Sequence, residues 1–248
     1  MRDVAIVQAR MGSTRFPGKV LHKIAGKAII DRVIDGLSNS NSLDDIIIAT
    51  TISRDDDQLV RHLQQSHDDI KIFRGPVNDV LLRFHAAAES FTTDPETNII
   101  RITADCPLIN GAVIDRVIGL RERCNVPYAS NVSPPTFPDG QDVEVFTLEA
   151  LKIASANATL GSDREHVTPY MRRCFNTANL GNKDGDFSKI RLTVDYPDDA
   201  TFIERLGLLL DLDSDLSCIN LQIAMLQIGD GRMHERNEGY ELSLKTDV

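Results

Sequence analysis

The chain has 248 residues, 42% of them apolar and 26% charged, with a formal net charge of −10. That length and apolar share suit one α/β domain with a sizeable core, and the acidic balance excludes a general nucleic-acid surface, which needs a basic field. No apolar run approaches the ~18 residues of a membrane span, and Cys106, Cys124, Cys174 and Cys218 form no Cys-x-x-Cys pair, so zinc is not expected.

Met1-Arg2-Asp3 leads directly into an apolar run with no signal-peptide hydrophobic region, so a cytoplasmic protein with reduced thiols is expected. Val4–Gln8 reads as the first strand. Ile30, Val33, Ile34 and Leu37 then recur at i, i+3, i+4 and i+7, one apolar helix face. Ile46–Ala49 reads as a second strand, Asp55–Gln65 as a polar helix and Ile70–Phe73 as a third strand. Val80, Phe84, Ala87 and Phe91 mark the next helix, Asn98–Thr103 a fourth strand, and Ile114, Val117 and Ile118 another helix. Continuous apolar strands separated by helices predict a mostly parallel sheet covered on both faces.

The rhythm changes between Pro127 and Asn182. Pro134–Gly140 is rich in turn residues, and Val143–Phe146 alternates like a half-buried strand. Thr147–Ala156 and Asp163–Cys174 read as helices, with Ser162 as the cap of the second, and Gly181–Gly185 as a surface loop. The α/β pattern returns with a strand at Ile190–Val194, a helix through Phe202, Leu206 and Leu209, and another at Ile219–Gln227. Tyr240–Leu244 reads as an ambiguous last strand.

Directly after the first strand, Ala9-Arg10-Met11-Gly12-Ser13-Thr14-Arg15-Phe16-Pro17-Gly18-Lys19 packs three cations, two glycines and two hydroxyls into one loop. Glycines let backbone N–H groups approach an anion closely, and fixed cations neutralise it, so a polyphosphate is the expected guest, with a solvated basic loop as the alternative. The spacing fits neither the P-loop nor the dinucleotide fingerprint. A second signal is an internal echo. Arg101-Ile102-Thr103-Ala104-Asp105-Cys106-Pro107 and Arg191-Leu192-Thr193-Val194-Asp195-Tyr196-Pro197 share the frame Arg-apolar-Thr-x-Asp-x-Pro. Each reads as a strand ending on an aspartate, with a proline stopping further pairing. Two carboxylates beside a polyphosphate repel it unless a cation lies between, and Mg²⁺ prefers one or two carboxylates plus phosphate oxygens and water. Turn-forming aspartates are the alternative.

These segments resemble the sugar cytidylyltransferases, the enzymes that make CMP-activated acidic sugars. The first loop is similar to that family's N-terminal signature, and Asp105-Cys106-Pro107 and Val194–Asp199 to its two metal-binding segments. Thr136–Phe146 and Arg164–Tyr170 resemble the subgroup named after spore coat polysaccharide biosynthesis protein F. The resemblance implies one nucleotidyltransferase domain over residues 1–248, of GT-A-like, Rossmann-like α/β fold. Residues 1–126 would bind nucleotide, 127–182 form an acceptor or dimerisation insert, and 183–248 return to the core. It also implies CTP as donor, Mg²⁺ as cofactor, pyrophosphate as leaving group and a homodimer. The central segment departs from the better-known relatives, which leaves the acceptor open between an acidic sugar and a phosphorylated compound.

On that reading Ala9, Met11, Gly12 and Ser13 line the nucleotide, with Arg10, Arg15 and Lys19 on its phosphates and Asp105 and Asp195 on Mg²⁺. Arg74 and Arg83 either lie near the pyrimidine and ribose or are surface cations. Thr50 and Thr51 either face the same cleft or end the second strand. Candidate acceptor residues are Asn131, Asp139, Gln141, Asp142, Glu144, Arg164, Glu165 and His166. Asp142 and Glu144, two apart on a strand, share a face. Arg164 would suit an acceptor carboxylate, and His166 is either a general base or structural. His22, His62, His67, His85 and His234 form no metal-spaced set, and His62 and His67 are expected in solvent. Asp55-Asp56-Asp57 contains the Asp-x-Asp pattern of glycosyltransferases but reads as acids at a helix start. Three rivals remain: another nucleotidyltransferase of this fold, a glycosyltransferase, and a non-catalytic nucleotide-binding subunit.

Overall fold

A computed structural model of the protein describes residues 1–213 and 216–228, so the expected strand at Tyr240–Leu244 and His234 lie outside the described residues. The chain alternates β1 (Asp3–Gln8), a small antiparallel hairpin β2 (Lys23–Ile24) and β3 (Lys27–Ala28), α1 (Ile29–Ser38), β4 (Asp45–Thr51), α2 (Asp57–Ser66) and β5 (Lys71–Gly75). It continues with α3 (Val80–Glu89), β6 (Asn98–Thr103) and α4 (Gly111–Cys124). The less regular part holds β7 (Tyr128–Ser130), β8 (Glu144–Thr147), α5 (Leu148–Asn157), α6 (Gly161–His166), α7 (Pro169–Cys174) and β9 (Thr177–Asn179), before α8 (Pro197–Leu206) and α9 (Cys218–Ile228).

Among the described residues the main sheet has seven strands in the order β5-β4-β1-β6-β8-β7-β9. β8 runs antiparallel to both β6 and β7, and the other neighbouring pairs are parallel. Each central strand buries both of its faces. Ala5 and Val7 of β1, Ile48 of β4 and Ile100 and Ile102 of β6 pack under α1, α2 and α4. Val4, Ile6, Ile47 and Ile99 pack under α3, α5 and α7. This two-sided burial is the physical content of the continuous apolar runs. Strand order reverses between β1 and β6, because β4 and β5 lie on one side of β1 and β6 on the other. Their carboxyl ends, in register at Gln8 and Thr103, open the crevice where sheets of this kind bind ligands.

Two expected elements come out differently. Ile190–Val194 is not a strand: among the described residues it forms no ladder, and an isolated bridge joins Arg191 to Asp139. Its alternating Ile190, Leu192 and Val194 instead pack into a separate core with Phe202, Leu206, Leu221 and Met225 of α8 and α9. The helix expected over Asp163–Cys174 is two helices. Val167 takes a left-handed φ of 71°, and Pro169 begins α7 without an N–H to continue the ladder. Ser162 lies inside α6, whose cap position is Leu160. His62 and His67 are half-buried rather than solvated, and both Nε2 atoms meet Asp31 Oδ1 of α1, at 2.8 and 2.9 Å.

Candidate active site

The loop leaving β1 is folded back on itself. The Met11 carbonyl accepts the N–H groups of Ser13 at 2.9 Å and Gly18 at 3.0 Å, and Ser13 Oγ accepts that of Phe16 at 3.2 Å. Gly18 has φ 72°, which glycine adopts without strain, and turns the chain into a short 3-10 helix, Lys19–Leu21, anchored by buried Val20. The loop is pinned from behind by Asp56. This aspartate is 1% exposed; its Oδ1 accepts the Met11 N–H at 2.7 Å and its Oδ2 the Thr51 N–H at 3.1 Å and the Thr51 hydroxyl. The middle acid of the Asp55–Asp57 run is therefore an internal brace of the loop, and the Met11 N–H points to it. Thr51 ends β4 as part of that brace, and Thr50 is buried beside it.

Asp105 follows β6 by one turn, while Asp195 belongs to a segment without a ladder. Among the described residues, three backbone bonds dock that segment. The Val194 N–H donates to the Asp105 carbonyl at 2.9 Å, the Leu192 N–H to Asp139 at 2.7 Å, and the Asp139 N–H to Ile190 at 2.9 Å. Gly140, at φ 107°, allows the close approach, since a Cβ there would lie 3.0 Å from the Leu192 carbonyl carbon. The two echoing segments thus meet at their aspartates.

Lys19 closes the arrangement. Its Nζ donates to Asp105 Oδ2 at 3.0 Å, Asp195 Oδ1 at 3.1 Å and the Val194 carbonyl at 2.8 Å. Burial works to lower the Lys19 pKa, but the two carboxylates outweigh it and the ammonium is held above its ordinary value. Asp105 shows the reciprocal effect: burial pushes it up, and Lys19 with other hydrogen bonds brings it below the usual carboxylate range. Arg15 Nη2 pairs with Asp195 Oδ1 at 2.7 Å while its guanidinium lies over the Tyr196 ring at 5.2 Å. On the other side Arg191 Nη2 reaches Asp195 Oδ2 at 3.2 Å. Arg10 and Gly12 are exposed on the same loop, and Ala9 is buried at its start. Cys106 is buried beside Asp105; burial and then Asp105, Asp139 and Asp142 push its thiol well above the ordinary value, so it is not a ready nucleophile.

The remaining candidates fall into three groups. Arg74 and Arg83 are not surface cations. Arg74 donates to the Thr51 and Ser53 carbonyls and to Asp57 Oδ1, at 2.9, 2.6 and 2.7 Å. Arg83, 2% exposed, donates to the Pro76 and Val77 carbonyls; burial and then Arg10 lower its pKa to about 10. Both shape the loops at the ends of β4 and β5. Asn131 and Gln141 are fully buried: Asn131 bridges the Gln141 carbonyl and the Val143 N–H, each at 2.8 Å, and Gln141 reaches the Leu216 carbonyl at 3.2 Å. Arg164 ties α6 to α3 and α5 through Asp79 and, at 2.7 Å, the Ser155 carbonyl.

Glu144 is 3% exposed and bound by Arg101 Nη1 and the Tyr128 hydroxyl, both at 2.6 Å. Burial raises it, but Arg101 and Tyr128 outweigh this and keep it low. Asp142, half-buried just before β8, and exposed Glu165 remain nearer solvent. His166 is half-buried, its pKa lowered chiefly by burial and also by Arg101, against Glu165 and Glu144. Arg101, Arg191, Asp56 and Asp199 lie in segments that the sequence singles out, yet the sequence gives none of them a site role of its own. The two arginines stand first in the echoed frame, and that shared position was the available signal.

The family described as Cytidylyltransferase matches residues 4–218. The chain belongs to the cytidylyltransferase family. The chain is 32% identical over 177 residues to the spore coat polysaccharide biosynthesis protein SpsF of Bacillus subtilis, a match covering 69% of this chain and 71% of that one. It is 37% identical over 120 residues to the 3-deoxy-manno-octulosonate cytidylyltransferase of Anaeromyxobacter dehalogenans, covering 48% of this chain and 47% of the other. The solved structure of a cytidylyltransferase from Leptospira borgpetersenii superposes with a TM-score of 0.83 at 28% identity, covering 96% of this chain and 98% of that one. Among the described residues, no helix is long and apolar enough to cross a membrane.

Proposed function

We infer that this member of the cytidylyltransferase family transfers CMP from CTP to an acidic sugar, with release of pyrophosphate. The observation that carries the reading is the convergence of Lys19 and Arg15 from the first loop with Asp105 and Asp195 at the β1–β6 crevice. An acceptor oxygen attacks the α-phosphorus, the bond to the bridging oxygen breaks, and pyrophosphate departs. The protein must chiefly position the reactants and offset charge. Arg15 can fork onto two phosphate oxygens, and Lys19 acts as a compact charge on a flexible stem. His166, kept neutral near pH 7 by burial, suits the acceptor's proton. Asp139, Asp142 and Glu165 are carboxylates suited to sugar hydroxyls.

The site's donors fit Mg²⁺. It takes hard oxygen ligands, and one ammonium already bridges the Asp105 and Asp195 carboxylates, so a single cation can serve both. Asp105 and Asp195 would hold the ion, which when bound neutralises phosphate and pyrophosphate charge. The resemblance also supports a homodimer through residues 127–182, checked by light scattering.

The decisive assay is pyrophosphate release with each of the four NTPs and Mg²⁺ against 2-keto acidic sugars and sugar or polyol phosphates. Release with CTP and one acidic sugar, lost in Asp105→Asn and Asp195→Asn, is expected. Preference for another NTP, or the absence of CTP binding, overturns the reading.

A further inference from the structure

Asp105 and Asp195 are held by different means. Asp105 comes off a strand laddered to β1, whereas Asp195 ends a segment that forms no ladder among the described residues and bridges Asp139 at Arg191. A carboxylate on such a segment needs another anchor, and the structure supplies one. Asp199, in the first turn of α8, takes the Arg191 fork on both oxygens, Nη1 to Oδ1 at 3.2 Å and Nη2 to Oδ2 at 3.1 Å. The same Oδ2 accepts the N–H groups of Asp195 and Tyr196, each at 2.8 Å. Arg191 in turn donates through Nε to Thr193 Oγ1 at 3.0 Å and through Nη2 to Asp195 Oδ2 at 3.2 Å. One carboxylate therefore fixes both the main chain and, through a rigid guanidinium, the side chain of Asp195.

We propose that Asp199 and Arg191 form a positioning pair that sets how Asp195 presents its carboxylate to a divalent cation. The inference rests on the reading above that Asp195 serves the metal. Helix capping alone would need only the two N–H contacts. The planar fork is superfluous to a cap, and it leads from Asp199 to the outer oxygen of Asp195. Arg191 also offsets the repulsion between two carboxylates four residues apart in sequence. Partners of this outer kind commonly change metal affinity by about 10- to 100-fold when removed.

Asp199→Asn separates the two roles, because the amide oxygen still accepts the backbone N–H groups while the fork is broken. Arg191→Met breaks the fork from the other end and leaves the cap intact. The test titrates Mn²⁺ onto the full chain with CTP, read by electron paramagnetic resonance, alongside the Mg²⁺ dependence of pyrophosphate release and thermal unfolding. Both variants are expected to bind Mn²⁺ about 10-fold or more weakly, with turnover partly restored at high Mg²⁺ and similar KM for CTP. Wild-type Mn²⁺ affinity in both variants, whatever their melting temperatures, overturns the positioning pair alone. A wild-type protein that binds CTP but no Mn²⁺ overturns the metal reading and this inference with it.

Discussion

The Lys19 ammonium joins two carboxylates that lie 86 and 176 residues away in sequence. Burial alone would favour its neutral form, so its charge depends on Asp105 and Asp195, and Lys19 in turn holds Asp105 below the usual carboxylate range. Removing one member of such a group leaves uncompensated charge, typically at a cost of about 3–5 kcal/mol when fully buried, less here because Asp105 is half-buried and Arg15 and Arg191 remain on Asp195. Lys19→Met is therefore expected to lower the urea midpoint, and Mn²⁺ should recover more stability in the variant than in the wild type, because a ligand stabilises the state that binds it. Equal Mn²⁺ shifts in the two proteins would contradict this. The loop cations, the echoed aspartates and the glycines were legible because their chemistry is local. The partners of Arg74, Arg83 and Arg164 were not: a sequence shows that a guanidinium exists, while the carbonyls it meets are set by loop geometry.

At the scale of elements, a strand and a docked extended segment share one apolar pattern. Ile190, Leu192 and Val194 alternate as in a strand, yet their partners are side chains of α8 and α9 rather than a neighbouring ladder. Helices α3 and α5 followed their patterns because caps agree with them: Asp79 accepts the Leu82 N–H at 2.9 Å and Thr147 Oγ1 the Ala150 N–H at 3.0 Å. The break between α6 and α7 had a visible signal in Pro169, but the left-handed Val167 carries none. Asp56 exemplifies a residue disguised by its neighbours, since a run of three acids reads as a solvated helix start. Asp56→Ala leaves the Met11 and Thr51 donors without their acceptor and should destabilise the fold by about 1–3 kcal/mol, while weakening CTP binding through the loosened loop. Chemical unfolding and equilibrium CTP binding check both effects, and wild-type values for both would show that Asp56 does not brace the loop.

For the whole molecule, pH integrates these contacts. Asp31, Asp45, Asp105, Asp115 and Glu144 all sit below their ordinary values, whereas burial raises Asp3. For the lowered carboxylates the unfolded chain binds protons more readily, so their stabilisation is complete above about pH 4–5 and is lost as pH falls through the folded values. His166 adds an earlier, shallower loss below about pH 6.5, because its folded form resists the proton that the unfolded form accepts. Raised Lys19 and Lys27 act at the other end: their contribution is present below about pH 10 and fades above it. Urea midpoints should thus fall gently from neutrality to pH 5 and steeply below pH 4, and His166→Gln should flatten the gentle part alone. The junction at Lys19 has a temporal meaning as well. A ribosome delivers the loop first, Asp105 next and Asp195 last, so a chain interrupted before that last acid carries the cation without one of its two carboxylate partners. Competence waits on the last of the three residues to be made, and products truncated before it are left without a complete centre.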